Sequence, residues 1–414
     1  MSSSATLILN AKISLLHASL KGMVEIKEME KKNELIFALH SNIKLGGGTE
    51  KVIFQLILNS PQDLLNIILV QTDLVDKQRL SDDYLRKLLS KTRIVTLKSL
   101  RGKFQFLRRN IFGKLLDSLI LQVVLVPFQK RVYKYFLNCI NGEVVIFLTR
   151  NSDYKYFSGN DRVLVGSSHT MSKIEFRLAM NRFIYRDIDY FQVFPGMTER
   201  SGSTVRSKRD LISLPNGVDT DLFHPLSTRI PVTRLRCLFV GRLEKYKGLN
   251  TLLKTWSLMP SNLEIELHVV GGGPLENTII SSRGNLVYHG ILPEEELAKV
   301  YRESDIFLYP TLIDNYPLVI LEAISSGLYV ITSNILKGVF DDFQERGFLE
   351  YTDIDADILS SRIMEATKNI VKIRELKQQM HQYVMEKYDW KKISLDFFDK
   401  ISKLYHNRSS DVVL

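Results

Sequence analysis

The sequence predicts an α/β protein built from two doubly wound units. Two series of short apolar runs alternate with helical patterns along the 414 residues. The first opens on a strand, a glycine loop and a helix, as a doubly wound unit does. Between the two series lie the turn signal Pro215-Asn216-Gly217 and a polar, proline-containing stretch, 220–233, with the composition of a linker.

The elements follow in order. Residues 1–32 read as an appendage, weakly amphipathic and then charged. The first strand, 35–40, enters the loop 46–50, and Val52, Ile53, Leu56 and Ile57 give the helix after it. Further strands are read at 66–71, 144–149 and 162–166, with the little polar relief of a buried parallel sheet. The second series has strands at 236–240, 264–270, 286–289, 306–309 and 329–332. Its helices fall at 249–256, 294–301 and 318–325. A last helix spans 391–406, with Ile393, Leu395, Phe397, Phe398, Ile401 and Leu404 apolar. The units are set at 33–215 and 234–388, the linker at 216–233. The terminal helix, 389–414, is expected to pack back on the first unit.

Composition excludes several classes. Cys139 and Cys237 alone make neither a disulfide framework nor a metal cluster, and suggest a reducing compartment. No run of eighteen apolar residues predicts a membrane span, and the N-terminus does not read as a cleaved signal. The net charge of +10 is concentrated in 98–114, where Lys98, Arg101, Lys103, Arg108, Arg109 and Lys114 face no acid. Phe104, Phe106 and Phe112 are interleaved. That mixture suits an anionic membrane surface, so the expectation is a cytoplasmic protein, peripheral on the inner face of the membrane. No nucleic-acid motif accompanies the charge.

The densest chemistry lies between Asp305 and Gly327. An apolar strand stops at Pro310, a loop carries Asp314, and Pro317 suits the first turn of a helix that carries Glu322. Two carboxylates thus stand beside the free N–H groups of a helix N-terminus, itself an anion site. Phosphate plus a diol held by carboxylate describes a nucleotide sugar. At the end of the second unit's first strand, Gly241-Arg242-Leu243 and Lys247-Gly248 place two cations where a diphosphate would lie.

These segments resemble the nucleotide-sugar site of the retaining GT-B glycosyltransferases of the family-four type, the glycosyl transferases group 1. In that family seven residues separate two Glu; here the spacing from Asp314 to Glu322 is kept, with Asp first. The resemblance implies a GT-B fold, two Rossmann-like units facing across a cleft, the first on the acceptor side and the second binding the nucleotide sugar. It implies that Glu322 holds the ribose, that Asp314 meets the donor sugar, and that Arg242 and Lys247 bind the diphosphate without metal or other cofactor. Glu322 is expected at the cleft rim, and both cations are expected to serve the ligand rather than stability. Gly47 and Gly48 resemble the family's glycine loop, facing the donor from the first unit. Gly241, Gly272, Gly273, Gly290, Ile291, Tyr316, Leu318 and Val319 complete the expected donor contacts. Pro215 to Asp219 and Phe223-His224-Pro225 resemble the family's interdomain segment.

The implied activity is transfer of a sugar to a hydroxyl of a glycan or lipid-linked glycan. A nucleotide-sugar epimerase or hydrolase, and a non-catalytic sugar-nucleotide-binding protein, remain as alternatives. The pairs Asp187/Asp189, Asp219/Asp221 and Asp353/Asp355 read as turn and cap residues rather than metal ligands. Relatives carry an acceptor-side histidine that the strand 144–149 lacks; His40 and His169 are the candidates left.

Overall fold

The computed structural model describes residues 35–41, 48–60, 65–71, 92–97, 143–148, 163–168, 187–196, 210–226, 234–260, 263–282 and 284–411, with 130, 131, 134, 154, 175, 178 and 179 singly. The appendage 1–32, Gly46 and Gly47, the basic segment 98–114, Cys139, His169 and linker residues 227–233 lie outside them. So does the side chain of His40. The chain divides into two units: Met1–Val193 with Thr204–Ile212 and Ser394–Leu414, and Phe194–Ser203 with Ser213–Ile393. The second unit therefore already includes 216–226, part of the stretch read as a linker.

The first unit holds a seven-stranded sheet. Its strands are β1 (Leu35–Ser41), β2 (Leu65–Gln71), β3 (Thr92–Leu97), β4 (Glu143–Leu148), β5 (Val163–Ser167), β6 (Tyr190–Val193) and β7 (Asp210–Ser213). They run in the order β3-β2-β1-β4-β5-β6-β7. From β3 to β6 every neighbouring pair is parallel. After β1, helix α1 (Gly48–Leu58) buries Val52, Phe54, Leu56 and Ile57.

In the second unit the strands are β8 (Leu235–Val240), β9 (Ile265–Val270), β10 (Leu286–Gly290), β11 (Ile306–Tyr309), β12 (Tyr329–Ser333) and β13 (Leu349–Thr352). Their order is β10-β9-β8-β11-β12-β13, all pairs parallel. Counted from β8, this is the 3-2-1-4-5-6 order of a Rossmann sheet. The helices are α2 (Leu249–Leu258), α3 (Glu276–Ile280), α4 (Glu294–Arg302), α5 (Leu318–Ser325), α6 (Asp341–Glu345), α7 (Ala356–Lys368), α8 (Ile370–Glu375), α9 (Lys377–Lys387) and α10 (Trp390–Asp411). The core is continuous from Cys237, Leu238 and Phe239 through Phe307 and Leu308 to Val330 and Ile331. Helix α10 starts in the second unit and from Ser394 belongs to the first, where Ser394 Oγ donates to the Gln55 carbonyl. No helix among the described residues is long and apolar enough to cross a membrane.

Strands β3, β6, β7 and β13 were not expected from the sequence. Each is short or polar: Thr-Arg-Ile-Val-Thr-Leu at the sheet edge, Tyr-Phe-Gln-Val, Asp-Leu-Ile-Ser, and Leu-Glu-Tyr-Thr. Their neighbours, not their own patterns, make them strands.

One buried ion pair ties the sheet to the last helices. Asp305, at the mouth of β11, is 2% exposed. Its two oxygens take Arg374 Nε and a terminal guanidinium nitrogen, both at 2.9 Å, and Lys377 Nζ at 3.3 Å. Burial pushes this carboxyl up, but Arg374 and Lys377 outweigh it and hold it below its ordinary value. The stabilisation is therefore present above the ordinary aspartate range and is lost as pH falls through the depressed value. Asp305→Asn should lower the unfolding free energy at pH 7 by about 3 kcal/mol. In urea titrations the gap from wild type should close below about pH 4.

Candidate functional site

The strand order of the second sheet reverses between β8 and β11, which pair through Ile306–Cys237 and Phe307–Leu238. Ligands of open α/β sheets bind at the carboxyl ends of the strands at such a point. The loop after β8 holds Gly241, Arg242 and Lys247; the loop after β11 holds Asp314. Gly248 lets them close on each other. Its φ is +74°, and a Cβ there would sit 1.7 Å from the Pro310 carbonyl oxygen.

Lys247 Nζ lies 2.6 Å from Asp314 Oδ2 and 2.7 Å from the Tyr309 hydroxyl. That hydroxyl donates to Asp314 Oδ2 at 2.7 Å, closing a triangle. Asp314 Oδ1 also accepts the Asn315 N–H. The Tyr309 ring stacks on Phe239 and Phe307. Burial, then Asp314, raise its phenol well above the usual range, so it stays a donor. Tyr309 escaped the sequence reading because an aromatic in an apolar strand looks like core. The cations also differ from expectation. Arg242 is exposed, 3.4 Å from Glu244 and over the Tyr246 ring. Lys247 is mostly buried and bound, so it serves stability as well.

Glu322 corrects a second expectation. It is 4% exposed rather than at a rim, and it accepts the Tyr301 hydroxyl at 3.1 Å. Burial, then Glu322, raise Tyr301 well above its ordinary range. Helix α5, which carries Glu322, starts after Pro317 with no side chain capping its first N–H groups. Leu318 and Val319 form its half-buried first turn. The Tyr316 ring is buried between Phe194 and Phe340. Asn216 donates to the Tyr316 carbonyl, which gives the Pro-Asn-Gly segment a positioning role.

The glycine loops are stitched together. Leu243 N–H donates to Gly272 O at 3.0 Å, and Gly271 N–H to Gly290 O at 2.8 Å. Gly273, at φ +154°, lies against Leu243, and Ile291 is 75% exposed. Gly48 opens α1 in the first unit. Among the described residues no group of three or more His, Cys, Asp or Glu could hold a metal. Asp189, Asp219 and Asp355 accept backbone N–H groups of a strand, a turn and a helix start.

Residues 224–387 match the family described as Glycosyl transferases group 1. That match covers less than half of the chain. The chain is 25% identical over 214 residues to a D-inositol 3-phosphate glycosyltransferase of Arthrobacter, covering 43% of this chain and 51% of that one. A phosphatidylinositol N-acetylglucosaminyltransferase subunit of Schizosaccharomyces pombe is 23% identical, covering 48% and 44%. The chain thus spans about half the length of these curated relatives. Among solved structures, sucrose-phosphate synthase from Thermosynechococcus elongatus superposes with a TM-score of 0.69 at 16% identity, covering 90% of this chain and all of that one. The Anabaena protein HepE, solved with UDP and glucose, gives 0.65 at 13% identity, covering 89% and 100%. The fold is GT-B, and the group 1 match lies in its second unit.

Tyr301→Phe and Glu322→Gln, alone and combined, test the buried pair beside the candidate site. Each single change should cost about 1–3 kcal/mol in urea unfolding, and the double mutant less than their sum. Additive losses would show that the pair is not coupled.

Proposed function

We propose that the protein is a retaining glycosyltransferase. It moves a sugar from a nucleotide-diphosphate donor to a hydroxyl of a glycan or lipid-linked glycan. One observation carries the reading: Arg242, Lys247, Asp314 and the open N-terminus of α5 gather at the switch point of a Rossmann sheet. The leaving diphosphate gains negative charge as the glycosidic bond breaks. Fixed cations and helix N–H groups therefore stabilise the transition state more than the ground state. Arg242 is free to swing onto the phosphates, while Lys247, oriented by Asp314 and Tyr309, offers a placed charge. In this reading those two cations take the place of a metal. Glu322 takes the ribose hydroxyls and Asp314 meets the donor sugar. Retention follows from front-face attack, in which the leaving phosphate accepts the acceptor proton.

HepE, solved with UDP and with UDP-glucose, supports a nucleoside-diphosphate donor. Relatives named for inositol phosphate and phosphatidylinositol support a hydroxyl acceptor beside a phosphate. The basic, aromatic segment 98–114 would bring a lipid-linked acceptor to the enzyme at the cytoplasmic leaflet.

Incubation with a panel of nucleotide sugars and acceptors tests the reaction. The expected product keeps the donor's anomeric configuration, and EDTA leaves the rate unchanged. Donor consumed without an acceptor would replace transfer by hydrolysis or epimerisation. Arg242→Ala should lower kcat/KM by about 10- to 100-fold with no change in stability, given about 1.5–3 kcal/mol per charged hydrogen bond. Lys247→Ala should lower both.

The membrane part has its own test. Binding to vesicles containing anionic lipid should weaken with salt, with each cation near the surface contributing about 1 kcal/mol. Changing Arg101, Lys103, Arg108 and Arg109 to Ser should abolish it without altering donor affinity. A wild-type protein that ignores such vesicles at low salt would point to a soluble acceptor.

A further inference from the structure

Two histidines that the transfer reading does not use meet at the edge of the second sheet. His268 lies on β9, 7% exposed; His289 lies near the end of β10. The parallel register runs Val287–His268 and Tyr288–Val269, then jumps to Gly290–Val270. His289 is thus the extra residue of a bulge. Bulges are rare between parallel strands, and they re-aim side chains beside sites. Here the two rings stack, centroids 5.1 Å apart and 26° between planes, with His268 Nδ1 2.9 Å from His289 Nε2.

The chemistry around the pair assigns the protons. His268 Nε2 faces Glu266 Oε2 at 3.4 Å, and Glu266 also takes Arg234. Arg234 above all keeps that carboxyl below its ordinary value. A charged acceptor there holds the proton on His268 Nε2. His268 Nδ1 is then the acceptor, and His289 Nε2–H the donor.

The bulge leads into the site. Gly290, next along the chain, accepts the Gly271 N–H, and the Tyr288 hydroxyl donates to the Gly271 carbonyl at 3.0 Å. Gly271, at φ +134°, packs so close to Gly241 that a Cβ would lie 1.9 Å from the Gly241 oxygen. A shift of the bulge therefore reaches the Gly241-Arg242 turn through two close contacts.

We propose that the His268–His289 pair is a clamp that holds the β10 bulge, and through Gly290 and Gly271 fixes the three loops that receive the nucleotide. The nucleotide half of this inference rests on the donor site assigned above. The clamp has a built-in pH response. One proton added to the pair leaves an N–H···N bond intact; only when both rings are protonated are two N–H groups set against each other. The charged groups around the pair are Glu266 on β9, Arg236 on β8 with Arg234 before it, and Glu303 after α4. Burial, joined by Arg236, holds both histidines below their ordinary value. The clamp is thus closed at neutral pH, and nucleotide affinity falls as pH drops below about 6.5.

Two measurements on the full chain decide it. Hydrogen exchange without ligand should show 269–273 exchanging faster in His289→Leu but not in His289→Gln, whose amide can replace the Nε2–H donor. Affinity for UDP, GDP or ADP, whichever binds wild type, should fall about tenfold in His289→Leu and stay near wild type in His289→Gln. His268→Asn, whose amide oxygen can replace the Nδ1 acceptor without titrating, should flatten the acid fall. Wild-type exchange in His289→Leu overturns the clamp. Faster exchange with unchanged affinity overturns its role at the nucleotide. A wild type that binds none of the three overturns the donor site itself, and exchange still decides the clamp.

Discussion

The second unit's site depends on one topological constraint, the reversal of strand order between β8 and β11. Crossovers on the two sides of that point leave toward different neighbours, so the carboxyl ends of these two strands are left uncovered by either. The chain then has to bring two separate loops together there. It does so through the absence of a side chain at Gly248, which lets the backbone after β8 lie against Pro310 after β11. Lys247 and Asp314, far apart in sequence, become neighbours as a result. The glycines at 271 and 273 repeat the device one strand further out, so three loops form one continuous surface.

Three acids near these strands show how environment separates structure from chemistry. Asp305 sits at the amino end of β11, and both its oxygens are taken by the cations of α8 and α9. Nothing is left to offer a ligand, and its work is to hold helices on the sheet. Asp314 sits at the other end of the same strand with one cation and one phenol. Glu322 meets a phenol, Tyr301, whose proton burial keeps in place. That neutral donor orients the Glu322 carboxyl.

Much of this was legible in the sequence. The strands around Cys237, Leu267 and Phe307 are apolar runs bounded by glycine or proline, and a buried parallel strand leaves that trace. Asp314, Glu322, Arg242 and Lys247 stood out because they flank strand ends and a helix start in motifs that resemble a nucleotide-sugar site. What was missed has physical reasons. Strands such as β13 owe their pairing to neighbours. Tyr309 and Tyr301 are amphipathic, and the sequence does not say whether the ring or the hydroxyl matters. The burial of Glu322 was missed because helix periodicity places a residue on a face but does not say what covers it. His268 and His289 are twenty-one residues apart, and only the bulge makes them partners.

The shortened carboxylate at 314 follows from the same geometry. Replacing Glu by Asp withdraws the charge by about 1.5 Å, one C–C bond. In this chain the withdrawn oxygen lies within 2.7 Å of both the Tyr309 hydroxyl and Lys247. A longer side chain from the same backbone would carry its carboxylate past that hydroxyl. The tyrosine and the aspartate therefore fit as a pair, each making the other's position useful. The hydroxyl accepts from Lys247 while donating to Asp314, and so fixes the direction of the ammonium. Three side chains from two loops and one strand thus hold one another in a single fixed arrangement.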